Sequence, residues 1–443
     1  MSDQSSADIP ALSPLRRWGI VLILTLLYGF GTLDRQMMAL LVGPIKHDLG
    51  FSEMEIGALQ GAAFSLFFVL ASLPIGWLVD RVSRRAIIFW GTLFWSICAA
   101  ASGLAGSFAQ MFAARAGVGA GEATLQPSAF ATIADNFPAE RLALPMSLFV
   151  IGANIGAGMS FVLGGMVVEW ASGAGGLDVP GMAGLAPWRQ AFLLTGLPGL
   201  VLVFIIFALP RHRNKLRPVE QQEGDFALAW RHYRRNWRFY VLHNLAFACC
   251  ISFIVGLLAW NPAFLGRIHG WQPAAIGAWL GLTQIGVSVP ALVLHGWAVD
   301  RLFKRGMHDA HLRWFSVLCP IAGVLGCAAY LVNDAWLTLV LFNGALFCVV
   351  SYPGIAAAAL QIATPTELRG KLSSVYLIGL NLLGSLTGPM IVAAITQYGF
   401  GDDARVGWSM SIFAASIMAL ATLFCLLGRG PMRTTIAARS WLS

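Results

Sequence analysis

Charge is what this sequence has least of. Only 11% of its 443 residues are Asp, Glu, Lys or Arg, while 57% are hydrophobic; a soluble domain carries roughly a quarter charged residues. The mean hydropathy of +0.71 likewise excludes a water-soluble globule. The short motifs of enzyme chemistry are absent too. There is no His-Glu-x-x-His, no Gly-x-Ser-x-Gly and no Gly-x-x-x-x-Gly-Lys-Ser/Thr, so neither a hydrolase nor an ATP-driven pump is supported. The cysteines (Cys98, Cys249, Cys250, Cys319, Cys327, Cys348 and Cys425) lie in apolar runs and lack the paired short spacing of a zinc site; they read as small buried hydrophobes. No metal or cofactor is expected.

What fills the chain is apolar sequence. A bilayer core of about 30 Å is crossed by ~20 apolar residues in a helix. Twelve stretches qualify, near 18–45, 54–79, 86–106, 108–136, 141–170, 188–209, 239–265, 273–299, 312–333, 335–362, 367–397 and 405–427. They predict an all-α membrane protein, with no room for a soluble catalytic domain. The first run continues through Asp34 and Arg35 and shows no small-residue cleavage site, so it reads as a retained helix and not a signal peptide.

The net charge of +8 is an orientation signal. With the N-terminus cytoplasmic, only Lys46, Arg189, Arg267 and Arg405 fall outside, and Arg35 and Arg115 fall within spans. Every other Lys and Arg faces the cytoplasm, which satisfies the positive-inside rule with both termini inside. A nucleic-acid partner is not implied. The expected setting is a membrane with its basic loops on the cytoplasmic side.

Two echoes divide the chain into halves. Gly76-Trp-Leu-Val-Asp80-Arg81-Val-Ser-Arg84-Arg85 recurs as Gly296-Trp-Ala-Val-Asp300-Arg301-Leu-Phe-Lys304-Arg305. Glu140, Gly152 and Asn154 recur as Glu367, Gly379 and Asn381. Matched inner loops in two six-helix halves predict a pseudo-twofold bundle with its cavity between them. The expected units are a disordered tail (1–15), a first bundle (16–209), a cytoplasmic linker (210–237), a second bundle (238–428) and a C-terminal tail (429–443). The Gly-rich stretch 171–187 reads as a flexible outer loop. Within and just beyond the linker, Phe226, Trp230, Tyr233 and Trp237 recur at helical spacing among arginines, a pattern suited to a helix lying at the headgroup level and anchoring a passive connection.

Four charges interrupt the apolar runs: Asp34 and Arg35 in the first span, Arg115 and Glu122 in the fourth. An ionisable group at membrane depth costs several kcal/mol and so marks a partner, a water-filled cavity or a task. Arg115, Gly119, Glu122 and Gln126 share one helical face. Arg115 and Glu122 are about 10 Å apart along the axis, too far for easy pairing, but each can reach across to helix 1. A carboxylate beside arginine stays ionised, and one that loses it in an apolar cavity takes a proton. Movement of Arg35 between Asp34 and Glu122 would therefore couple protonation to conformation. Arg115 is the expected fixed counter-charge or headgroup ligand, since guanidinium binds phosphate in bidentate fashion. A static ion-pair network joining helices 1 and 4 is the plainer reading of the same residues. The second half offers neutral groups (His243, Asn244, Gln284, Asn343, Ser351, Tyr352 and Asn381), and Trp260, Trp279 and Phe347 suggest an apolar slot.

The Gly-x-x-x-Asp-Arg-x-x-Arg-Arg loop resembles the signature between helices 2 and 3 of the major facilitator superfamily. Leu33-Asp34-Arg35-Gln36, Pro44-Ile-Lys46 with Leu49-Gly50, Arg115-Ala-Gly117-Val-Gly119-Ala-Gly121-Glu122-Ala-Thr-Leu-Gln126-Pro127, and Trp188-Arg189-Gln-Ala-Phe with Gly196-Leu-Pro198-Gly199 are similar to the bacterial branch of its spinster family. Gly31-Thr32 departs from the Asn-Tyr-like pair expected before Leu-Asp-Arg. The resemblance implies alternating access, with Gly76, Asp80, Arg81, Arg84 and Arg85, and Asp300, Arg301 and Lys304 in the second half, forming a cytoplasmic latch that holds the outward-open state. It also implies proton-coupled movement of amphiphiles such as lysophospholipids or sphingosine-1-phosphate.

The expected function is thus a proton-coupled transporter, working as a monomer among membrane lipids. Asp34, Glu122 and Arg35 would handle the proton; Arg35, Arg115, Gln126, Tyr352 and Asn381 would meet an amphiphilic substrate. A small hydrophilic organic anion or sugar is the alternative cargo. An amphiphile-sensing receptor lacks the signalling domains it would need.

Overall fold

The structure, a computed structural model, describes residues 13–79, 82–137, 143–172, 182, 184–209, 220–365 and 368–437. Several expectations lie outside the described residues: those for most of the N-terminal tail and of the 171–187 loop, for Asp80, Arg81, Glu140 and Glu367, and for the end of the C-terminal tail. Within the helices the side chains of Asp34, Gly152, Asn154 and Phe226 are likewise not described.

All regular structure among the described residues is helical. The first half comprises α1 (Pro14–Leu40), α2 (Val42–Leu49), α3 (Glu53–Gln60), α4 (Ala62–Val79), α5 (Arg84–Ser102), α6 (Phe108–Glu122), α7 (Leu125–Asn136), α8 (Ala143–Ser172) and α9 (Pro187–Leu202). Helix α10 (Glu220–Arg235) connects the halves. The second half comprises α11 (Trp237–His269), α12 (Pro273–Lys304), α13 (Ala310–Ala329), α14 (Ala335–Val349), α15 (Tyr352–Ala363), α16 (Arg369–Leu380), α17 (Thr387–Ala394) and α18 (Val406–Ala437).

Local chemistry explains the breaks. Pro14 opens α1 at a position where its missing N–H is no loss. Gly50 ends α2 in the left-handed conformation at φ 68°, and Ser52 with Glu55 forms a reciprocal capping box that starts α3. The expected fourth span is cut between α6 and α7, where Thr124 turns its hydroxyl onto the Gly121 carbonyl at 2.8 Å. Residues 381–385 form a π-helical turn beginning at Asn381. Such turns recur at functional positions.

Ten helices among the described residues are long and apolar enough to cross a membrane. The fourth and fifth expected spans fall short of that measure. The fourth is divided into α6 and α7, and in α8 the continuous described apolar segment is Ile155–Trp170. Large apolar side chains such as Leu22, Trp90, Val293, Val324 and Val340 are more than half exposed, an arrangement that fits lipid and not water. The buried core is aromatic in the second half, where Phe247, Phe253, Trp260, Phe264 and Phe315 are almost wholly enclosed.

Within the halves, α1 packs on α8, α4 on α6, and α5 on α6 and α9; α11 and α13 pack on α18. Between them, α8 packs on α12, α3 on α17, and α1 on α11. The α8–α12 crossing requires glycine: a Cβ on Gly277 would stand 2.1 Å from the Phe161 carbonyl oxygen, and one on Gly281 2.2 Å from that of Gly158. Backbone therefore meets backbone, as small residues permit in lipid.

Candidate functional site

The halves touch at one end of the bundle and part at the other. Descending the second span from Glu53, a Cβ on Gly57 would strike Ala393 at 2.6 Å, and one on Gly61 the Leu386 carbonyl at 2.5 Å. Further along the same rod, Phe68, Val69, Ser72 and Gly76 instead face a cavity of about 450 Å³. Ala123, Gln126, Pro127 and Phe130 line it from the first half, and Ser374, Leu377, Ile378 and Asn381 from the second.

An ion cluster seals the touching end. Glu53, only 2% exposed, accepts from Lys46 Nζ at 2.7 Å and pairs with Arg267 at 2.9 Å. Lys46 also pairs with Asp403, and Gln397 accepts from the Met54 backbone N–H at 2.7 Å. Since Arg267, Gln397 and Asp403 belong to the second half, these contacts tie the halves together. Ala274 adds another, donating its backbone N–H to Glu169 at 3.2 Å.

Between that seal and the cavity lies the charge pair. Arg35 Nη2 donates to Glu122 Oε2 at 2.6 Å, joining α1 to the last turn of α6. The guanidinium rests over the Phe64 ring, 3.9 Å from its centroid, so one face meets the ring while Nη2 meets the carboxylate. Gly31, the departure noted in the sequence, leaves its space to the Glu122 carboxyl, which would lie 3.6 Å from an added Cβ. One turn beyond Glu122, Gln126 Nε2 donates to Tyr28 Oη at 2.8 Å, and the Tyr28 ring stacks on Phe149 at 5.1 Å. Arg115 is 1% exposed, two turns before Glu122. Asp34 has no described side chain.

Other expected residues stand apart from this constellation. Asn381 lines the cavity but spends its amide on the Leu377 carbonyl, 2.9 Å away. Tyr352 is buried against Phe247 and is not among the cavity walls. The expected apolar slot is corrected. Trp260 is buried and donates to the Pro389 carbonyl at 3.0 Å, Trp279 faces outward against Trp336, and Phe347 packs on His295. Phe68, Val69, Phe130, Leu377 and Ile378 form the apolar wall instead. Tryptophan volume suited core filling, and the parting rods expose whichever residues lie below their last contact.

The expected latch residues make contacts within their own halves. Arg84 donates to the Ala131 carbonyl at 2.9 Å and Arg85 to that of Leu209 at 3.2 Å, with the Arg85 guanidinium over Phe207. Gly76 lines the cavity. In the second half Arg301 lies over Trp297, and Asp300 and Lys304 are exposed. A different carboxylate organises that end. Asp309, 1% exposed, accepts from Arg429 at 2.9 Å, Arg433 at 2.7 Å and Arg313 at 3.4 Å. Burial works to raise its pKa, but the hydrogen bonds from Arg433 and Arg429 and the charge of Arg313 outweigh it and hold the carboxyl at about 2.

Sequence reasoning missed Tyr28, Phe64, Glu53 and Asp309. Tyr28 was within reach, since it precedes Arg35 by seven residues on one helical face. Glu53 resembles an ordinary first-turn acid beside a capping box, and its burial depends on residues more than two hundred positions away.

Residues 24–310 match the Major Facilitator Superfamily. The chain belongs to that family. It is a transporter and not an enzyme, and a multi-pass protein of the bacterial inner membrane. An efflux pump of the same type from Mycolicibacterium smegmatis is 28% identical, covering 87% of this chain and 85% of its own. The probable L-galactonate transporter of Escherichia coli is also 28% identical, at 84% and 83% coverage. Human spinster homolog 1 is 26% identical, at 92% and 77%. The crystal structure of a bacterial homolog of the human lysosomal transporter spinster, inward-facing and unoccupied, superposes with a TM-score of 0.75 over 96% of this chain and 98% of that one, at 22% identity. At that identity the likeness concerns the fold.

Proposed function

We propose that this transporter is a proton-coupled carrier of a lipid-like amphiphile that works by alternating access. The observation that carries the reading is the ion pair between half-exposed Arg35 and buried Glu122, placed beside a largely apolar cavity between the halves. Twelve crossings with both termini cytoplasmic place the basic loops inside, and the cavity then opens inward while the Lys46–Glu53–Arg267–Asp403 cluster closes the outer face.

Coupling follows from competition for one guanidinium. While Arg35 holds Glu122, the carboxylate is stabilised as an anion. An anionic headgroup entering the cavity competes for Arg35, and Glu122, losing that guanidinium's charge, takes up a proton more readily. Neutralising that acid removes the tie between α1 and α6, two helices that must move together for the site to change its exposure. Asp34 is the second proton site and Arg115 the fixed counter-charge. Asn381, on the cavity wall, supplies a substrate contact from the second half, and the loops carrying Asp80, Arg81, Asp300 and Lys304 re-form a latch when the inner face closes. Phe68, Phe130, Leu377 and Ile378 supply the surface for an acyl chain.

A second reading, a hydrophilic sugar acid, is favoured by the names of two relatives, the galactonate transporter and a probable galactarate/D-glucarate transporter of Bacillus subtilis. Both readings ask for an anion. Proteoliposomes under an imposed pH gradient separate them: we expect uptake of lysophospholipid or sphingosine-1-phosphate and none of galactonate or glucarate. Uptake of sugar acids alone would transfer the site to the second reading.

A further inference from the structure

The connection between the halves carries more chemistry than a tether needs. Helix α10 ends in Arg231, Arg234 and Arg235, and Arg238 follows in the first turn of α11. All four are exposed, and no ion pair joins any of them to a carboxylate among the described residues. Two grooves flank them. One, of about 460 Å³, lies between this corner and the end of α18, with Arg235, Trp237, Arg238, Pro431 and Thr434 among its walls. The other, of about 530 Å³, is lined by Ala227, Trp230, Arg231, Arg234 and Arg235. Arg235 belongs to both.

The corner is rigidly held. Tyr233 stacks on Tyr240 at 5.2 Å and on Trp230 at 5.8 Å. Tyr240 Oη is hydrogen-bonded to His232 and to Thr364, each at 3.0 Å, and Thr435 lies 3.3 Å from Asn236. The arginines are thus fixed to α11, α15 and α18, the helices of the second half. Trp230 and Trp237 stay more than half exposed beside them, as indole does at the membrane interface.

We propose that this corner is a binding site for the phosphate headgroup of an anionic phospholipid from the adjacent leaflet. Charge complementarity chooses the occupant: four guanidiniums with no carboxylate partner among the described residues can donate to phosphate in bidentate fashion, whereas a zwitterionic headgroup brings its own cation. The exposed indoles cover the glycerol and upper acyl region. The site is independent of the cargo that the central cavity carries.

The test is binding of defined lipids to delipidated full-length protein, read by native mass spectrometry and by the lipid-induced rise in melting temperature. Phosphatidylglycerol should bind and stabilise the protein, and phosphatidylcholine should do neither. Arg235→Gln/Arg238→Gln should weaken phosphatidylglycerol binding by roughly tenfold or more, from about 1 kcal/mol per basic residue near a charged surface. Its melting temperature without lipid should match wild type, since both side chains are exposed. Arg16→Gln/Arg17→Gln, the same charge change at the start of α1, should keep wild-type binding. Equal loss in the two double variants, equal binding of both lipids, or full displacement by millimolar inorganic phosphate would each overturn the proposal.

Discussion

Arg35 is the residue on which the site turns. It holds Glu122 at 2.6 Å and covers Phe64 at the same time. Removing either charge has distinct consequences. Glu122→Gln keeps size and hydrogen-bonding capacity but cannot release a proton; proton-driven uptake in proteoliposomes should fall to background while the purified variant keeps its fold and melting temperature within a few degrees. Wild-type uptake by that variant would remove Glu122 from the coupling. Arg35→Ala should abolish transport even with both acids present, and takes a guanidinium away from the buried Glu122 carboxyl, to be read as a lower melting temperature.

Asp309 is a residue-scale prediction with a pH sign. Its ordinary pKa of 3.8 falls to about 2 in the folded protein. A depressed acid stabilises the fold above its unfolded pKa, and this contribution is lost as pH falls through the folded value. Wild type should therefore lose stability between pH 4 and pH 2 in detergent thermal melts, on the order of 2 kcal/mol. Asp309→Asn should carry that deficit already at pH 7 and show a flatter acid limb, because its three arginines lose their shared anion.

At the scale of elements, helix crossings decide what can be substituted. Gly277 and Gly281 let α12 reach the backbone of α8. Gly281→Val forces the two apart, an overpacking of about 1–3 kcal/mol, and does so between the halves. It should lower the melting temperature and increase labelling of a cysteine introduced at the closed end. Apolar run length marked twelve spans, ten of which the described residues bear out, because burying a backbone in lipid leaves few alternatives to a continuous helix. It missed the cut at Ala123–Thr124 and the π turn at Asn381, since both depend on the hydrogen bonds and neighbours that each turn meets. The tryptophans went astray for a related reason: a large apolar side chain suits core, cavity wall and lipid face equally well by composition.

For the whole molecule, the balance between two arrangements matters more than total stability. The described state closes one end through Glu53, Lys46, Arg267 and Asp403 and parts the rods at the other. Glu53→Gln removes the anion that Lys46 and Arg267 share and leaves Asp403 as the remaining carboxylate of the cluster. Each 1.4 kcal/mol of lost closure shifts the population ratio about tenfold. Distances between spin labels across that end should therefore broaden toward longer values in the variant, and unchanged distributions would mean the cluster does not hold the gate.

The sequence by itself determined that this chain lives in a membrane, that its motifs recur, and that Arg35 and Glu122 interrupt its apolar runs. Those features follow from composition and helical spacing, which are local. Only the tertiary structure decided which charge met which, that Glu53 and Asp309 organise opposite ends, and that Phe68 and Ile378 face the cavity. Pairing and enclosure arise where two helices distant in sequence approach each other, and no spacing along one chain records that distance.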